Sequence, residues 1–322
     1  MNILVTGALG HIGSRIIRDI PNAFPGSETI MIDNLSTQRY SSLFHLPVLG
    51  RFRFIEGDVL DIDLFPFIQD ADVVLHLAAI TDAAGSFKNR DQVGHVNFQS
   101  TKKIAEICSA LNRPLVHISS TSVYGTQKAL VSEDCLESDL KPQSPYAETK
   151  LKEEKFLHQL GRDGNLRFVT CRFGTIAGVS PGIRFHTAVN KFCWQAAFGQ
   201  PLSVWRTALF QKRPYLALND AIAALFFIIR NNNFDGRVYN IITANLTVND
   251  IIASIQRFIG SISIQYVDTE IMNQLSYEVS SDRFRKLGFA FAGNLDQCIA
   301  DTLGLLWKAG GEHVRKDTFQ QG

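Results

Sequence analysis

The chain has 322 residues, 45% of them hydrophobic, and a formal net charge of +1. That length suits one large α/β domain or two linked ones, and the balanced charge gives no reason to expect nucleic acid or a membrane surface as a partner. No apolar run approaches the ~20 residues of a membrane span. The five cysteines are odd in number and lack paired spacing, so they read as small buried hydrophobes in a reducing cytoplasm, with neither a disulfide nor a metal role.

In chain order, residues 2–6 are a short apolar run of the kind that makes a fully buried parallel strand. The strand and the glycines after it begin at once, so the N-terminus does not read as a signal peptide. Gly7, Gly10 and Gly13 follow at three-residue steps, and residues 11–20 carry Ile12, Ile16, Ile17 and Ile20 at helical spacing. A strand, a glycine turn and a helix in succession bring backbone and free helix N–H groups against a pyrophosphate. Residues 28–33 form a second apolar strand ending in Asp33. A carboxylate there accepts both hydroxyls of an adenosine ribose and repels a 2′-phosphate, which points to NAD rather than NADP.

A third strand at 52–56 runs into Gly57, Asp58 and Val59, a polar stop suited to the adenine side. A fourth, at 72–77, ends in Ala78 and Ala79, whose small size lets a cofactor pass over the strand ends. A helix is expected from near 96 to 111, a fifth strand at 115–119, a helix at 144–160 and a sixth strand at 167–173. Six strands with interleaved helices predict a Rossmann-type, doubly wound parallel sheet over residues 1–172, with no internal repeat. Residues 173–322 are expected to form mainly a smaller substrate lobe, some of whose strands could return to the main sheet. Its predicted pieces are a partly helical 179–199, extended segments at 202–205 and 213–218, a helix after Asp220, an apolar run at 238–242, a helix to Phe258 capped by Thr247, an amphipathic helix at 295–306 and a polar tail from Gly310.

The chemistry sits in two stretches. Ser119 to Ser122 follow the fifth strand, so their hydroxyls emerge at the cofactor edge. Pro145 suits a first helical turn, which places Tyr146 and Lys150 one turn apart on one face. A tyrosine titrates near ~10 and is a poor base at neutral pH, but a nearby ammonium and a positive nicotinamide ring favour the phenolate. Lys150 can also hydrogen-bond the nicotinamide ribose. Ser120 would then hold the sugar hydroxyl that Tyr146 deprotonates while the neighbouring hydride moves to NAD. His76, His95 and His117 lack metal-ligand spacing and read as structural.

On these residues the chain resembles the extended short-chain dehydrogenase/reductases of the NAD-dependent epimerase/dehydratase family, in the branch containing UDP-galactose 4-epimerase. The matching pieces are Thr6-Gly7-Ala8-Leu9-Gly10-His11-Ile12-Gly13, Asp33-Asn34-Leu35, Gly57-Asp58, His76-Leu77-Ala78-Ala79, Val96-Asn97, Ser119-Ser120, Val123-Tyr124-Gly125 and Ser144-Pro145-Tyr146 with Lys150. The resemblance implies Ser120, Tyr146 and Lys150 as catalytic residues. It implies cofactor contacts from Gly7, Gly10, His11, Ile12, Gly13, Asp33, Asn34, Asp58, Val59, Leu77, Ala78, Ala79 and Asn97. It also implies a nucleotide-diphosphate sugar substrate facing Thr81, Ser120, Thr121 and Thr175, with Arg213 on the diphosphate; a guanidinium fork suits that anion. Relatives commonly dimerise through the helices placed here at 97–111 and 145–160, which implies a homodimer.

Departures from the family narrow the activity. Nucleotide-sugar 4,6-dehydratases of the family carry Asp-Glu just before the Val-Tyr-Gly, and the related decarboxylases carry a Glu; here Thr121 and Ser122 stand there and cannot do carboxylate work. Reversible hydride transfer remains: epimerisation through a transient 4-keto sugar or, as the alternative, net oxidation at C4. Thr175 stands where the epimerases usually have an Asn, and Ala217 where many relatives have a His. The segment 180–192 resembles a branch that includes 4-dehydrogenases of nucleotide-linked heptoses. A protein that senses NAD without turnover has no need of the base that Tyr146 supplies.

Overall fold

The computed structural model describes residues 1–82, 85–125, 129–268 and 276–310; the polar tail after Gly310 lies outside them. The first part of the chain forms β1 (Asn2–Thr6), α1 (His11–Ala23), β2 (Glu28–Asp33), β3 (Arg51–Glu56), α2 (Phe65–Asp70), β4 (Val73–His76), α3 (Arg90–Ala110), β5 (Leu115–Ser120), β6 (Leu130–Val131), α4 (Pro145–Asp163) and β7 (Phe168–Phe173). The rest forms β8 (Thr175–Ala177), α5 (Ala188–Ala197), β9 (Leu202–Trp205), β10 (Lys212–Ala217), α6 (Leu218–Arg230), β11 (Val238–Ile241), β12 (Ala244–Thr247), α7 (Val248–Phe258), β13 (Ile264–Val267), β14 (Glu278–Val279), α8 (Asp282–Arg285) and α9 (Leu295–Leu306).

Seven strands make one sheet in the order β11-β7-β5-β4-β1-β2-β3, and every neighbouring pair is parallel. Side chains alternate across it. On one face Ile3, Val5, Met31, Leu75 and Val116 pack against Ile16, Ile17 and Ile20 of α1 and Leu225 and Ile228 of α6. On the other, Leu4, Ile30, Val74 and Leu115 meet Ile68 of α2, Ile104 and Cys108 of α3 and Leu157 of α4. Helices on both faces explain why the strands read as continuous apolar runs. The chain leaves β1 toward β2 and β3, then crosses back to β4, so a crevice opens over the carboxyl ends of β1 and β4.

A smaller sheet, β12-β10-β8, lies under α5, α7 and α9 with its own core of Val189, Phe192, Ile251, Ile255, Ile299 and Leu303. Thr247 caps α7 as the sequence indicates: its hydroxyl accepts the Asp250 N–H at 3.1 Å, and the Asp250 carboxylate accepts the Thr247 N–H at 2.8 Å. Among the described residues no helix is long and apolar enough to cross a membrane.

Two boundaries differ from the sequence reading for the same reason. The third helix begins at Arg90 rather than near 96; its buried face runs through Val93, Asn97, Ser100, Thr101 and Ile104, and three of those five are polar, which hides the apolar period. The helix expected after Asp220 begins at Leu218 and takes Asp220 into its first turn. There the buried carboxylate accepts the Thr243 hydroxyl at 2.6 Å and the N–H groups of Ala292 and Gly293 at 3.0 and 2.8 Å. Asp220 therefore fastens the loop before α9.

The lobes are tied over the glycine turn. The Gly182 N–H donates to Ser14 Oγ at 2.8 Å, and buried His11 donates from Nε2 to the Gly178 carbonyl at 2.9 Å. Burial pulls the His11 imidazole down to about 4 from 6.5, against a smaller upward pull from the Gly178 bond. Folded His11 is thus neutral where an unfolded histidine has already taken a proton, so the unfolded chain binds more protons between those pH values. The expected outcome is a melting temperature that falls as pH drops from about 6.5 toward about 4, with His11→Phe flattening part of that slope. A variant with the wild-type slope would show that His11 does not carry it.

Candidate active site

The crevice is a cleft of about 710 Å³, within the ~300–1,000 Å³ range of ligand sites. Its first wall is the glycine turn. Gly7 has φ +65°, and a Cβ on it would lie 2.6 Å from the Ala78 nitrogen. A Cβ on Gly13 would lie 2.3 Å from the Gly7 carbonyl oxygen, so the helix can pack this close to the turn only without side chains. Gly10 caps α1 with no side-chain bond, and the first N–H groups of the helix face the cleft unblocked. Gly7, Gly10, His11, Ile12 and Gly13 all line it.

Asp33 closes β2. Its Oδ2 accepts the Leu9 N–H at 3.0 Å and its Oδ1 the Leu35 N–H at 2.9 Å. The carboxylate so shapes the glycine turn, and each oxygen keeps a second lone pair for the cleft. Asn34 donates to Asp58 Oδ2 at 2.7 Å, and Asn34, Asp58, Val59, Leu77, Ala78 and Ala79 complete this end of the lining. Arg39, which sequence reasoning missed, borders it too. A turn that excludes Cβ atoms, an open helix N-terminus and a carboxylate at the end of the second strand fit NAD. Asn97 does not line the cleft. Its amide accepts the Ile80 N–H at 2.8 Å and donates to the Ile80 carbonyl at 2.9 Å, so it holds the loop after β4 from behind.

Ser120, Thr121, Tyr146 and Lys150 meet at the middle of the cleft. Ser120 Oγ accepts from the Ser122 N–H at 3.2 Å and the Ser122 hydroxyl at 2.9 Å, which leaves its own hydrogen for a group in the cleft. Thr121 turns away: its hydroxyl donates to the Phe173 carbonyl at 3.3 Å, and its carbonyl accepts the Tyr277 hydroxyl at 3.2 Å. Ser144 caps α4 by accepting the Ala147 N–H at 3.2 Å, and Pro145 occupies the first turn. Tyr146 and Lys150 then stand one turn apart, with Lys150 Nζ 6.0 Å from the Tyr146 ring centre.

The electrostatics of Tyr146 combine opposing causes. Burial pushes the Tyr146 phenol up, Lys150 pulls it down, Glu153 pushes it up again and Arg184 pulls it down; the net direction is upward. Lys150 acts as the sequence implies, but desolvation outweighs it. Lys150 itself is held above the usual lysine range: burial works against its charge, and Glu153, Tyr146 and Glu154 together more than offset that.

Thr81, Thr175 on β8 and Arg213 on β10 line the cleft as well. Arg213 stacks 5.4 Å from the Tyr277 ring centre and donates to Gln211 at 2.8 Å. Arg184 and His186 also line the cleft and were missed. The Arg184 guanidinium donates to Thr81 Oγ1, and its buried Nε has no partner among the described residues. The signal available was a lone cation in the small and apolar stretch after the sixth strand. Asp82 borders the cleft, but it is exposed and its Oδ1 accepts the Gly85 N–H at 2.9 Å.

The chain is similar to solved and curated proteins over nearly its whole length. UDP-glucuronic acid 4-epimerase from Bacillus cereus, solved with UDP-glucuronic acid and NAD, superposes with a TM-score of 0.85 at 27% identity, covering 96% of this chain and 100% of that one. By sequence it is 28% identical over 313 residues to a trifunctional UDP-glucose 4,6-dehydratase/UDP-4-keto-6-deoxy-D-glucose 3,5-epimerase/UDP-4-keto-L-rhamnose-reductase of Arabidopsis thaliana, with 94% of this chain aligned to 46% of that protein. The chain thus spans about half the length of that relative. An uncharacterized UDP-glucose epimerase of Bacillus subtilis is 29% identical over 250 residues, 75% of this chain and 76% of its own. Residues 3–241 match the NAD dependent epimerase/dehydratase family, and the chain belongs to that family of NAD-dependent, nucleotide-sugar-modifying enzymes.

Proposed function

We propose that the protein is an NAD-dependent nucleotide-sugar epimerase that works through a transient 4-keto sugar. The observation that carries this reading is the chemistry that faces the cleft between Ser120 and Lys150: a hydroxyl, a phenol and an ammonium, with no carboxylate among the described lining residues beside them, since Glu153 is buried behind Lys150. Among the described residues the carboxylates that line the cleft are Asp33, Asp58 and Asp82. Asp33 and Asp58 sit at the glycine turn and its neighbouring strand ends, and Asp82 is engaged at the rim. Dehydration needs a carboxylic acid to protonate the departing C6 hydroxyl and a base at C5, and Thr121 and Ser122 supply neither.

NAD, held by the glycine turn and Asp33, supplies a hydride acceptor when bound. The chain does the rest. Ser120 donates to the sugar C4 oxygen and fixes the ring against Tyr146. Tyr146 Oη takes the proton of that hydroxyl as the oxygen becomes a carbonyl, with Lys150 stabilising the phenolate. After the keto sugar presents its other face, C4 takes back the hydride it gave up and Tyr146 Oη returns the proton to the C4 oxygen, so no net oxidation has occurred. Arg213 holds the diphosphate.

Arg184 indicates the sugar class. The half-buried Arg184 guanidinium, whose Nε has no partner among the described residues, lies near Tyr146 and would be matched by an anion; with Arg213 on the substrate diphosphate and the glycine turn on the pyrophosphate of NAD, a carboxylate on the sugar is the anion that fits Arg184. The Bacillus cereus relative acts on such a sugar. The outward side of α3 and α4, where half-buried Phe98 and Phe156 meet edge to face at 5.7 Å, supports a homodimer through these helices.

Chromatography with mass detection on a panel of NDP-sugars tests the reaction: a product of unchanged mass and shifted retention is expected. A product lighter by two hydrogens, with NADH accumulating, would replace epimerisation with net oxidation; loss of water would overturn both. Tyr146→Phe is expected to lower turnover by about 10²–10⁴-fold while NAD binding persists. Arg184→Met is expected to reduce kcat/KM for a uronic-acid NDP-sugar about 30–100-fold more than for its neutral counterpart, and equal losses on both would remove the assignment to a sugar carboxylate. Light scattering at micromolar concentration is expected to give twice the chain mass; a monomer would exclude the dimer.

A further inference from the structure

Behind Lys150 lies a buried carboxylate that the mechanism above does not use. Helix α4 turns both Glu153 and Glu154 toward the sheet, and their surroundings differ. Glu154 is matched throughout: Arg172 donates to it twice, at 2.9 Å from Nε and 2.6 Å from Nη2, and Ser119 donates at 2.5 Å. Glu153 is wholly buried. Its Oε2 accepts from Lys150 Nζ at 2.8 Å and lies 2.7 Å from His117 Nε2, while its Oε1 has no partner among the described residues. A carboxylate kept for packing alone would satisfy both oxygens, because a buried unpaired one is costly. His117 sits on β5 directly opposite His76 on β4, with its Nδ1 3.4 Å from Thr170 Oγ1.

We infer that Glu153, braced by His117, is a positioning residue for Lys150: it is the fixed counter-charge that holds the ammonium under Tyr146 and sets how much of the lysine charge the phenol feels. This rests on the proposed role of Tyr146 and Lys150. The charged and titratable groups facing the pair are His76, His117 and, through Glu154, Arg172 from the sheet, with Tyr146 and Glu154 from α4 itself. Of these, His76 and His117 are kept neutral by burial, and Arg172 is matched by Glu154. The charges that remain are Lys150 and Glu153.

The two act in opposition on Tyr146. Burial pulls the Lys150 titration down, and Glu153, joined by Tyr146 and Glu154, pulls it back above the usual range. The same negative charge works against the phenolate, so Glu153 raises Tyr146 while Lys150 lowers it. The positive charge that NAD would bring to the cleft would work against the ammonium proton too, and Glu153 would oppose that force. The arrangement gives up part of the lysine's effect on Tyr146 to keep the lysine charged.

Glu153→Gln isolates the charge. With its amide oxygen in the place of Oε2, the glutamine can still accept from both Lys150 Nζ and His117 Nε2, and only the charge is lost. The first readout needs no substrate: NMR titration of 13Cε-labelled lysines, with the Lys150 signal assigned by its loss in Lys150→Arg. Removal of the counter-charge is expected to lower the Lys150 titration by at least about one pH unit, a tenfold change in its protonation equilibrium. Glu153→Asp, which restores the charge, is expected to recover part of that shift. The second readout is the pH profile of sugar turnover, in which both limbs are expected to move to lower pH in Glu153→Gln. A Lys150 titration unchanged in the folded Gln variant would overturn the inference. If that variant fails to fold, His117→Asn, which unbraces Glu153, must lower the same titration, and no change there overturns it equally. Absence of turnover on every NDP-sugar would remove the proposed function and leave the NMR result standing.

Discussion

One buried polar layer fixes the rest of this structure. Helix α4 presents Lys150, Glu153 and Glu154 to a parallel sheet, and charges can be buried there only because the strands answer them: His117 and Ser119 from β5, Arg172 from β7. Such ion pairs are weak evidence for stability, since apolar residues of the same volume would often serve as well. What they provide is position. Removing one partner costs on the order of 3–5 kcal/mol, so α4 has a single register against the strand ends, and Tyr146 has a single place over the cleft.

The layer reaches into the second half of the chain. Arg172 also donates to the Tyr124 hydroxyl at 2.8 Å, which donates to Asn240 on β11 at 2.9 Å. Asn240 in turn donates to the Ser280 carbonyl at 3.0 Å. Helix α4, sheet and the approach to α8 are thus one hydrogen-bonded unit. On the opposite side of the cleft, Asp33 shapes the glycine turn, and His11, Ser14 and Gly182 fasten the lobe to it. The cleft is fixed at both ends before any ligand enters it.

Legibility followed which groups each residue type could reach. Gly7, Gly10, Gly13 and Asp33 could be read because a backbone turn needs them at fixed offsets from a strand end, and Tyr146 and Lys150 because a helix puts them on one face. Asn97 could not: an amide that holds the Ile80 backbone and one that touches a ligand look alike in a sequence. Glu153 and Glu154 were hidden because charges on a helix normally face water, and the partners that permit burial lie far away in the chain. Arg184 was hidden because it enters the cleft from a loop without periodicity. The seventh strand of the main sheet, β11, was visible as an apolar run, but which sheet it joins depends on pairing with β7 across more than sixty residues.

The relatives include dehydratases and an epimerase on one backbone, so the fold does not select the reaction. The selection lies in how a few hydroxyls are oriented. In this chain the Ser122 hydroxyl donates to Ser120 and the Thr121 hydroxyl to the Phe173 carbonyl, so both are already engaged within the protein. An acid at either place would have to break one of these bonds and then find room over the sugar C6. Ser120 gains from the arrangement, since with Ser122 donating to it twice its own hydrogen is directed outward. On the proposed reading, the residues that could have opened an elimination route instead orient the one serine that hydride transfer at C4 requires.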